Sequence, residues 1–135
     1  MSYISIGTYD QNKAGHPEHY FAERHTTIDY RGKLKISPLA QFGYRNMIIT
    51  VSHSILNGQF SPKTIKKQVT IDDYAWITSG CILYNCHIMH HAIISVGAVV
   101  SGMVVEPYTV VAGNPAVPIA RWNGQRWEKL PLDKK

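Results

Sequence analysis

Residues 71–112 read IDDYAW ITSGCI LYNCHI MHHAII SVGAVV SGMVVE PYTVVA, seven consecutive six-residue units that break into GNPA at residues 113–116. The first position of the units holds Ile71, Ile77, Leu83, Met89, Ser95, Ser101 and Pro107, and the fifth holds Ala75, Cys81, His87, Ile93, Val99, Val105 and Val111. An amphipathic helix repeats apolar residues every three to four positions and a half-buried strand every two. A period of six satisfies neither. It fits a short strand, a bend and another short strand, coiled so that each unit makes one side of a prism, which is the signature of a parallel β-helix. The expected fold is all-β, a hexapeptide-repeat solenoid stabilised by the stacking of neighbouring coils.

Upstream, a looser register begins at Tyr30: YRGKLK, ISPLAQ, FGYRNM, IITVSH. Its first positions are Tyr30, Ile36, Phe42 and Ile48, and its fifth are Leu34, Ala40, Asn46 and Ser52. The two registers do not agree, because sixes counted from Ile48 arrive at Asp72 whereas the second block starts on Ile71. The chain between them must leave the coil, and residues 54–68, polar and carrying Gly58 and Pro62, form the expected looped-out segment. Loops thrown out of a solenoid line its binding face. His53 stands where this one departs.

Past the repeats, Asn123-Gly124 lies between IARW and QRWEKL and predicts a hairpin with a two-residue type I′ turn, a cap for the last coil packed by Trp122 and Trp127. Before them, residues 3–7 suggest a strand and residues 10–19 a loop. His16, His19 and His25 show no recognisable metal-ligand spacing. The whole chain, residues 1–135, is expected to be a single domain with coils over 28–116 and a cap over 117–135.

Composition narrows the classes. The chain has 44% hydrophobic residues and no apolar run of membrane-spanning length, and its first residues lack the pattern of a secretory signal, so a cytoplasmic location is expected. Cys81 and Cys86 read as reduced packing residues. The net charge of +5 is concentrated at Lys63, Lys66 and Lys67, at Arg121, Arg126 and Lys129, and at Lys134 and Lys135. Without interleaved aromatics or a nucleic-acid module, this basicity suits a solvated surface or an anionic small molecule rather than nucleic acid.

The segments KQVTIDDYAWITSGCILYNCHI and EPYTVVAGNPA resemble the hexapeptide-repeat acyltransferases, and most of all the sugar O- and N-acetyltransferases similar to maltose, galactoside and polysaccharide acetyltransferases. The resemblance covers roughly residues 28–119. It implies a left-handed parallel β-helix, a handedness that the general preference for right-handed parallel crossovers would not suggest. It also implies a homotrimer, with acetyl-coenzyme A as cosubstrate lying in a groove between subunits and polysaccharide biosynthesis as a setting.

Site residues follow position by position. The family's Ser-His or Thr-His pair before the looped-out segment corresponds to Ser52-His53, which makes His53 the catalytic general base. A thioester is already activated, so the enzyme need only remove a proton from the attacking alcohol or amine, and histidine is a base suited to pH 7. Backbone N–H groups of the coil would stabilise the oxyanion. Asp29 corresponds to an aspartate of the acceptor pocket, Trp76 to the tryptophan flanking the pantetheine arm, and Ser79 and Gly97 to positions whose backbone holds that arm. Arg121 would suit the nucleotide phosphates.

The match has departures. A frequent Thr-Lys pair is Gly102-Met103 here, and a common lysine after GNPA is Val117. His87 in a fifth position, with His90 and His91 nearby, invites comparison with γ-class carbonic anhydrases, which hold zinc with three histidines on the same coil. That arrangement would set one of His87 and His91 inside the prism and the other outside. A non-catalytic trimeric scaffold is the remaining alternative.

Overall fold

The structure, a computed structural model, describes residues 17–131, with side chains from Tyr20 onward. The strand expected over residues 3–7, His16 and the side chain of His19 lie outside the described residues. Part of the expected loop over residues 10–19 is instead helical: α1 spans Pro17–Glu23, with proline at the helix start, where its missing N–H is not needed.

Three faces of parallel strands follow. The first stacks β1 (Thr27–Ile28), β4 (Met47–Ile49) and the leading halves of β9 (Ile82–Ile88) and β11 (Val99–Val105). The second stacks β2 (Lys33–Ile36), β7 (Gln68–Ile71) and the trailing halves of β9 and β11. The third stacks β3 (Gln41–Phe42), β8 (Trp76–Ile77), β10 (Ile93–Ile94) and β12 (Thr109–Gly113). The chain visits the faces in rotation, so each coil lies on the one before it as in a β-helix.

Side chains stack by rung into continuous interior columns. Ile36, Ile71, Ile88 and Val105 form one column, Phe42, Ile77, Ile94 and Val111 another, and Ile48, Leu83 and Val100 a third, all at most 5% exposed. Branched aliphatic residues suit this environment because they pack on a pleated surface from both sides. Ala75, Cys81, Ala92 and Ala98 fill the tighter interior positions. Burial raises the thiol pKa of both free cysteines, that of Cys86 to about 12, in keeping with packing roles.

The strict six-residue frame does not survive. Trp76 pairs with Ile93 and Ile93 with Val110, a repeat of seventeen residues, so one side of each coil is a residue short. The short side runs from Leu83 to Ile88 and again from Val100 to Val105. There β9 and β11 turn the corner without leaving the strand, through single left-handed residues, Asn85 (φ 48°) and Gly102 (φ 66°). Met89, Ser95, Ser101 and Pro107 therefore lie beside the interior rather than in it, and His87 is on the outside. The first block keeps its register: Leu34, Ile36, Ala40, Phe42, Asn46 and Ile48 are all buried.

The looped-out segment is ordered as an antiparallel hairpin of β5 (Val51–Leu56) and β6 (Gln59–Lys66). Its turn is Asn57-Gly58, with φ of 53° and 73°, a dipeptide that accepts the two positive φ angles such a turn demands. At the far end, β13 (Ala116–Trp122) adds antiparallel to β12, and β14 (Trp127–Lys129) adds to β13. The Asn123-Gly124 turn is not the two-residue form expected. Trp122 pairs with Trp127, and Asn123 Oδ1 accepts N–H bonds from Gln125 and Arg126 at 2.9 and 3.0 Å, an Asx turn inside a four-residue loop. The opposite end is closed by α1, whose Phe21 packs edge-on against Phe42 at 5.0 Å.

Truncating an interior residue separates the two frames. Ile94→Ala should lower unfolding free energy by about 2–5 kcal/mol, whereas Ser95→Ala should change it by less than about 0.5 kcal/mol. Denaturant unfolding of both variants measures the difference.

Candidate active site

The corner between the first and second faces, here corner one, gathers Asp29 and the hairpin that carries His53. Asp29 ends the β1 rung, and its carboxylate accepts bonds from Arg31 Nε at 2.8 Å and Nη2 at 3.1 Å, and from the N–H groups of Arg31, Thr50 and Val51 at 3.1, 3.2 and 3.2 Å. The Arg31 guanidinium beside it, helped by the backbone N–H groups of Arg31 and Thr50 and opposed by burial, holds the carboxyl well below the usual carboxylate range. Thr50 Oγ1 donates to the Asp29 carbonyl and accepts from Gly32 N–H, both at 2.8 Å. A Cβ on Gly32 would come within 2.5 Å of the Thr50 carbonyl oxygen, so the close approach requires glycine. Asp29 thus anchors the foot of the hairpin that carries His53.

His53 lies on β5 opposite Thr64, exposed, with its ring edge-on to Phe60 at 4.7 Å. Beyond it the hairpin presents Ile55, Leu56 and Phe60, each at least 65% exposed. Asp29 and His53 therefore share one corner. Both carboxylate oxygens of Asp29 are already engaged by the chain, so it acts as a brace for the hairpin.

Trp76 belongs to the third face, across the prism from corner one. It is half exposed and sits between Gln41 and Ile93. Beside it at corner two are Tyr74, His91 and Tyr108, all left-handed, with His91 stacked on Tyr108 at 4.6 Å and Tyr74 tilted against His91 at 5.2 Å. These residues, Ile93 and the edge-on pair Trp122 and Trp127 line an apolar groove of about 410 Å³. Its character fits the apolar arm of a thioester donor.

Ser79 and Gly97 lie together at corner three, between the third and first faces. Gly97 N–H donates to the Ser79 carbonyl at 2.9 Å, and Ser79 Oγ accepts from Tyr44 N–H at 2.9 Å. Gly97 has open space beside it, and its φ of 75° is itself a reason for glycine. Arg121 is not brought to the Trp76 groove. Its Nε points to Thr109 Oγ1 at 3.4 Å, and strand alternation sets it on the opposite side of β13 from Trp122. Lys129, two residues from Trp127, shares the groove side.

The histidines of the zinc alternative do not converge. His87 sits on the second face with Nε2 2.7 Å from Asp72 Oδ2, and His91 is on corner two, its Nδ1 2.9 Å from His90 Nδ1. Neither is inside the prism. The His87–Asp72 pair was hidden by the six-residue frame; counting by seventeen aligns Thr70, His87 and Val104, all on the outer side of the second face.

No protein-family model matches the chain, and no curated protein matches it significantly. Solved structures do. A maltose O-acetyltransferase from Clostridium difficile 630 is 25% identical with a TM-score of 0.58, over 73% of this chain and 56% of that one. A hexapeptide-repeat acetyltransferase from Vibrio cholerae O1 biovar eltor, complexed with acetyl-coenzyme A, is 22% identical with a TM-score of 0.62, over 71% and 53%. The N-acyltransferase AntD from Bacillus cereus, in complex with dTDP-4-amino-4,6-dideoxyglucose and coenzyme A, is 13% identical with a TM-score of 0.57, over 70% and 56%. The match spans a little over half the length of each of these proteins.

The Asp29 brace has a pH signature. Its folded pKa is lowered, so its contribution is complete above the unfolded value of about 3.9 and fades as pH falls from there towards the folded value. Asp29→Asn should lower stability at pH 7 by about 1–3 kcal/mol. The gap in melting temperature between wild type and variant should narrow as the buffer is taken from pH 7 to below pH 3.

Proposed function

We propose that this chain, which has the fold of the hexapeptide-repeat acetyltransferases, transfers an acetyl group from acetyl-coenzyme A to a hydroxyl or amine of a sugar-bearing acceptor. It does so as a cytoplasmic homotrimer of left-handed parallel β-helices. The likeness of its coil to three acyltransferase structures carries the proposal, two of them holding coenzyme A or its acetyl ester.

Bound acetyl-coenzyme A supplies a thioester carbonyl that needs no covalent activation by the enzyme. His53, exposed on its hairpin, is the general base that takes the proton from the attacking hydroxyl or amine. Asp29 acts through the backbone, holding Thr50 and Val51 so that His53 is presented at a fixed height above the coil. Trp76 and Ile93 offer the apolar wall for the donor arm, and Ser79 and Gly97 form the corner at the other end of the same face. Arg121 faces away from this groove, so Lys129 is the better-positioned cation for a phosphate.

Within one chain the base and the donor wall lie on opposite sides of the prism. A second copy that brings its third face to corner one of the first resolves this, and a ring of three such heterologous contacts closes on itself. Each site then takes His53 from one subunit and Trp76 from its neighbour.

His53→Ala should lower kcat by at least about a hundredfold in a thiol-release assay with acetyl-coenzyme A, with the melting temperature unchanged. Full activity in that variant would sink the assignment. Trp76→Ala should raise the KM for acetyl-coenzyme A. At an acetyl-coenzyme A concentration well below the raised KM, where both variants turn over poorly, co-refolding the two should give more activity than the mean of the parents, since some mixed interfaces hold both intact residues; a mixture no more active than that mean argues against shared sites.

A further inference from the structure

The second face carries a polar groove of about 390 Å³ that the donor and the base leave unused. Gln68, Asn85, His87, Gly102 and Val104 line it, and it opens at the foot of the hairpin, since only Lys67 separates Gln68 from β6. Gln68 Nε2 donates to Thr70 Oγ1 at 2.8 Å, which leaves its carbonyl oxygen for another donor. His87 commits Nε2 to Asp72 and keeps Nδ1 for a ligand. Gly102, without a side chain one rung beyond Asn85, leaves the amide of Asn85 room on that side. Amide, imidazole and hydroxyl groups that both donate and accept, beside the flat apolar surface of Val104, match the alternating hydroxyls and C–H faces of a sugar ring.

Charge surrounds the groove unevenly. The segments nearest it, residues 30–36 and 63–71, include Arg31, Lys33, Lys35, Lys63, Lys66 and Lys67 and no aspartate or glutamate. Arg31 is neutralised by Asp29, and Asp72 at the groove edge is held by His87. Lys33 pairs in register with Gln68, and its N–H donates to the Lys67 carbonyl, so Lys33 lies on the rung next to Gln68 and Lys67 directly precedes Gln68 on its own rung. Positive charge at Lys33 and Lys67 beside a polar cleft draws anions.

We infer that this groove is the acceptor site and that the acceptor is a sugar carrying negative charge, a phosphate or a carboxylate. The inference rests on the acetyl-transfer reading for the word acceptor, but the binding itself is independent of it. Sugar hydroxyls meet Gln68, Asn85 and His87; the anionic group meets Lys33 and Lys67; and the hairpin that carries His53 leaves the coil just before Gln68.

Isothermal titration of the purified protein with UDP-glucose, with a galacturonate oligosaccharide and with neutral maltotriose tests this. At least one anionic probe should bind, with maltotriose at least about tenfold weaker, and the preference between the two identifies phosphate or carboxylate as the anionic group. His87→Ala and Asn85→Asp, the latter keeping a residue tolerant of left-handed φ, should each weaken binding about tenfold. Lys33→Ala should weaken it about two- to fivefold and flatten its salt dependence. Equal binding of maltotriose overturns the charge assignment; no binding of any probe, or binding indifferent to both groove variants, overturns the site. If the site fails while His53→Ala still abolishes thiol release, acetyl transfer stands without it. If the sugars bind in the groove but acetyl-coenzyme A yields no thiol, acetyl transfer fails and the groove stands.

Discussion

Hydrogen bonds between successive coils oblige each coil to return to the same place after the same number of residues. A slip of one residue would turn every side chain of the next strand from interior to solvent. The corners are therefore where the chain must be most economical, and from residue 71 onward each is turned with a left-handed residue. Asn85, Gly102, Gly80 and Gly97 adopt that conformation with little cost. Tyr74, His91 and Tyr108 do not, at a cost of about 1–2 kcal/mol each. Their mutual stacking, about 0.5–1.5 kcal/mol per ring pair, offsets part of it. A strained corner is thus tied to an aromatic ridge beside the groove.

The same register explains which features could be read from the chain alone. Leu34, Ile36, Ala40, Phe42, Asn46 and Ile48 sit where a six-residue count puts them, and the disagreement between the two blocks marks the segment that leaves the coil. The seventeen-residue repeat was masked because apolar residues stand on both sides of the interior positions. Met89 follows Ile88, Ile93 precedes Ile94, and Val99 precedes Val100, so a count of six meets an apolar or small residue whether or not it points inward. Nothing in Asn85 or Gly102 announces that a strand bends there rather than ends. Asn-Gly occurs twice and makes two different turns, because the closing pairs around it, Leu56 with Gln59 and Trp122 with Trp127, leave loops of different length.

The sequence names candidate site residues one by one but not how they are distributed over the coil. His53, Asp29, Trp76, Ser79 and Gly97 are named by position along the chain, whereas their faces depend on how many residues fill each side of the prism. Corner one holds Asp29 and the hairpin; the third face and corner three hold the rest. Asp72 and His87 are fifteen residues apart and meet only because the short side of the coil brings them onto adjacent rungs. A carboxylate saturated by its own chain, as Asp29 is, fixes the backbone around it.

The hairpin that carries His53 hydrogen-bonds chiefly to itself. Val51 pairs with Lys66, and the strands on either side of it, β4 and β7, pair with other coils rather than with each other. Thr50 and Lys67 form the seam, where the Lys67 N–H meets the Thr50 carbonyl at 2.7 Å. Everything beyond that seam can lengthen, shorten or be exchanged without shifting one rung of the scaffold. The coil therefore behaves as a chassis with a single socket. Variation in which molecules are handled can accumulate in the insert while the core that stabilises the fold stays untouched.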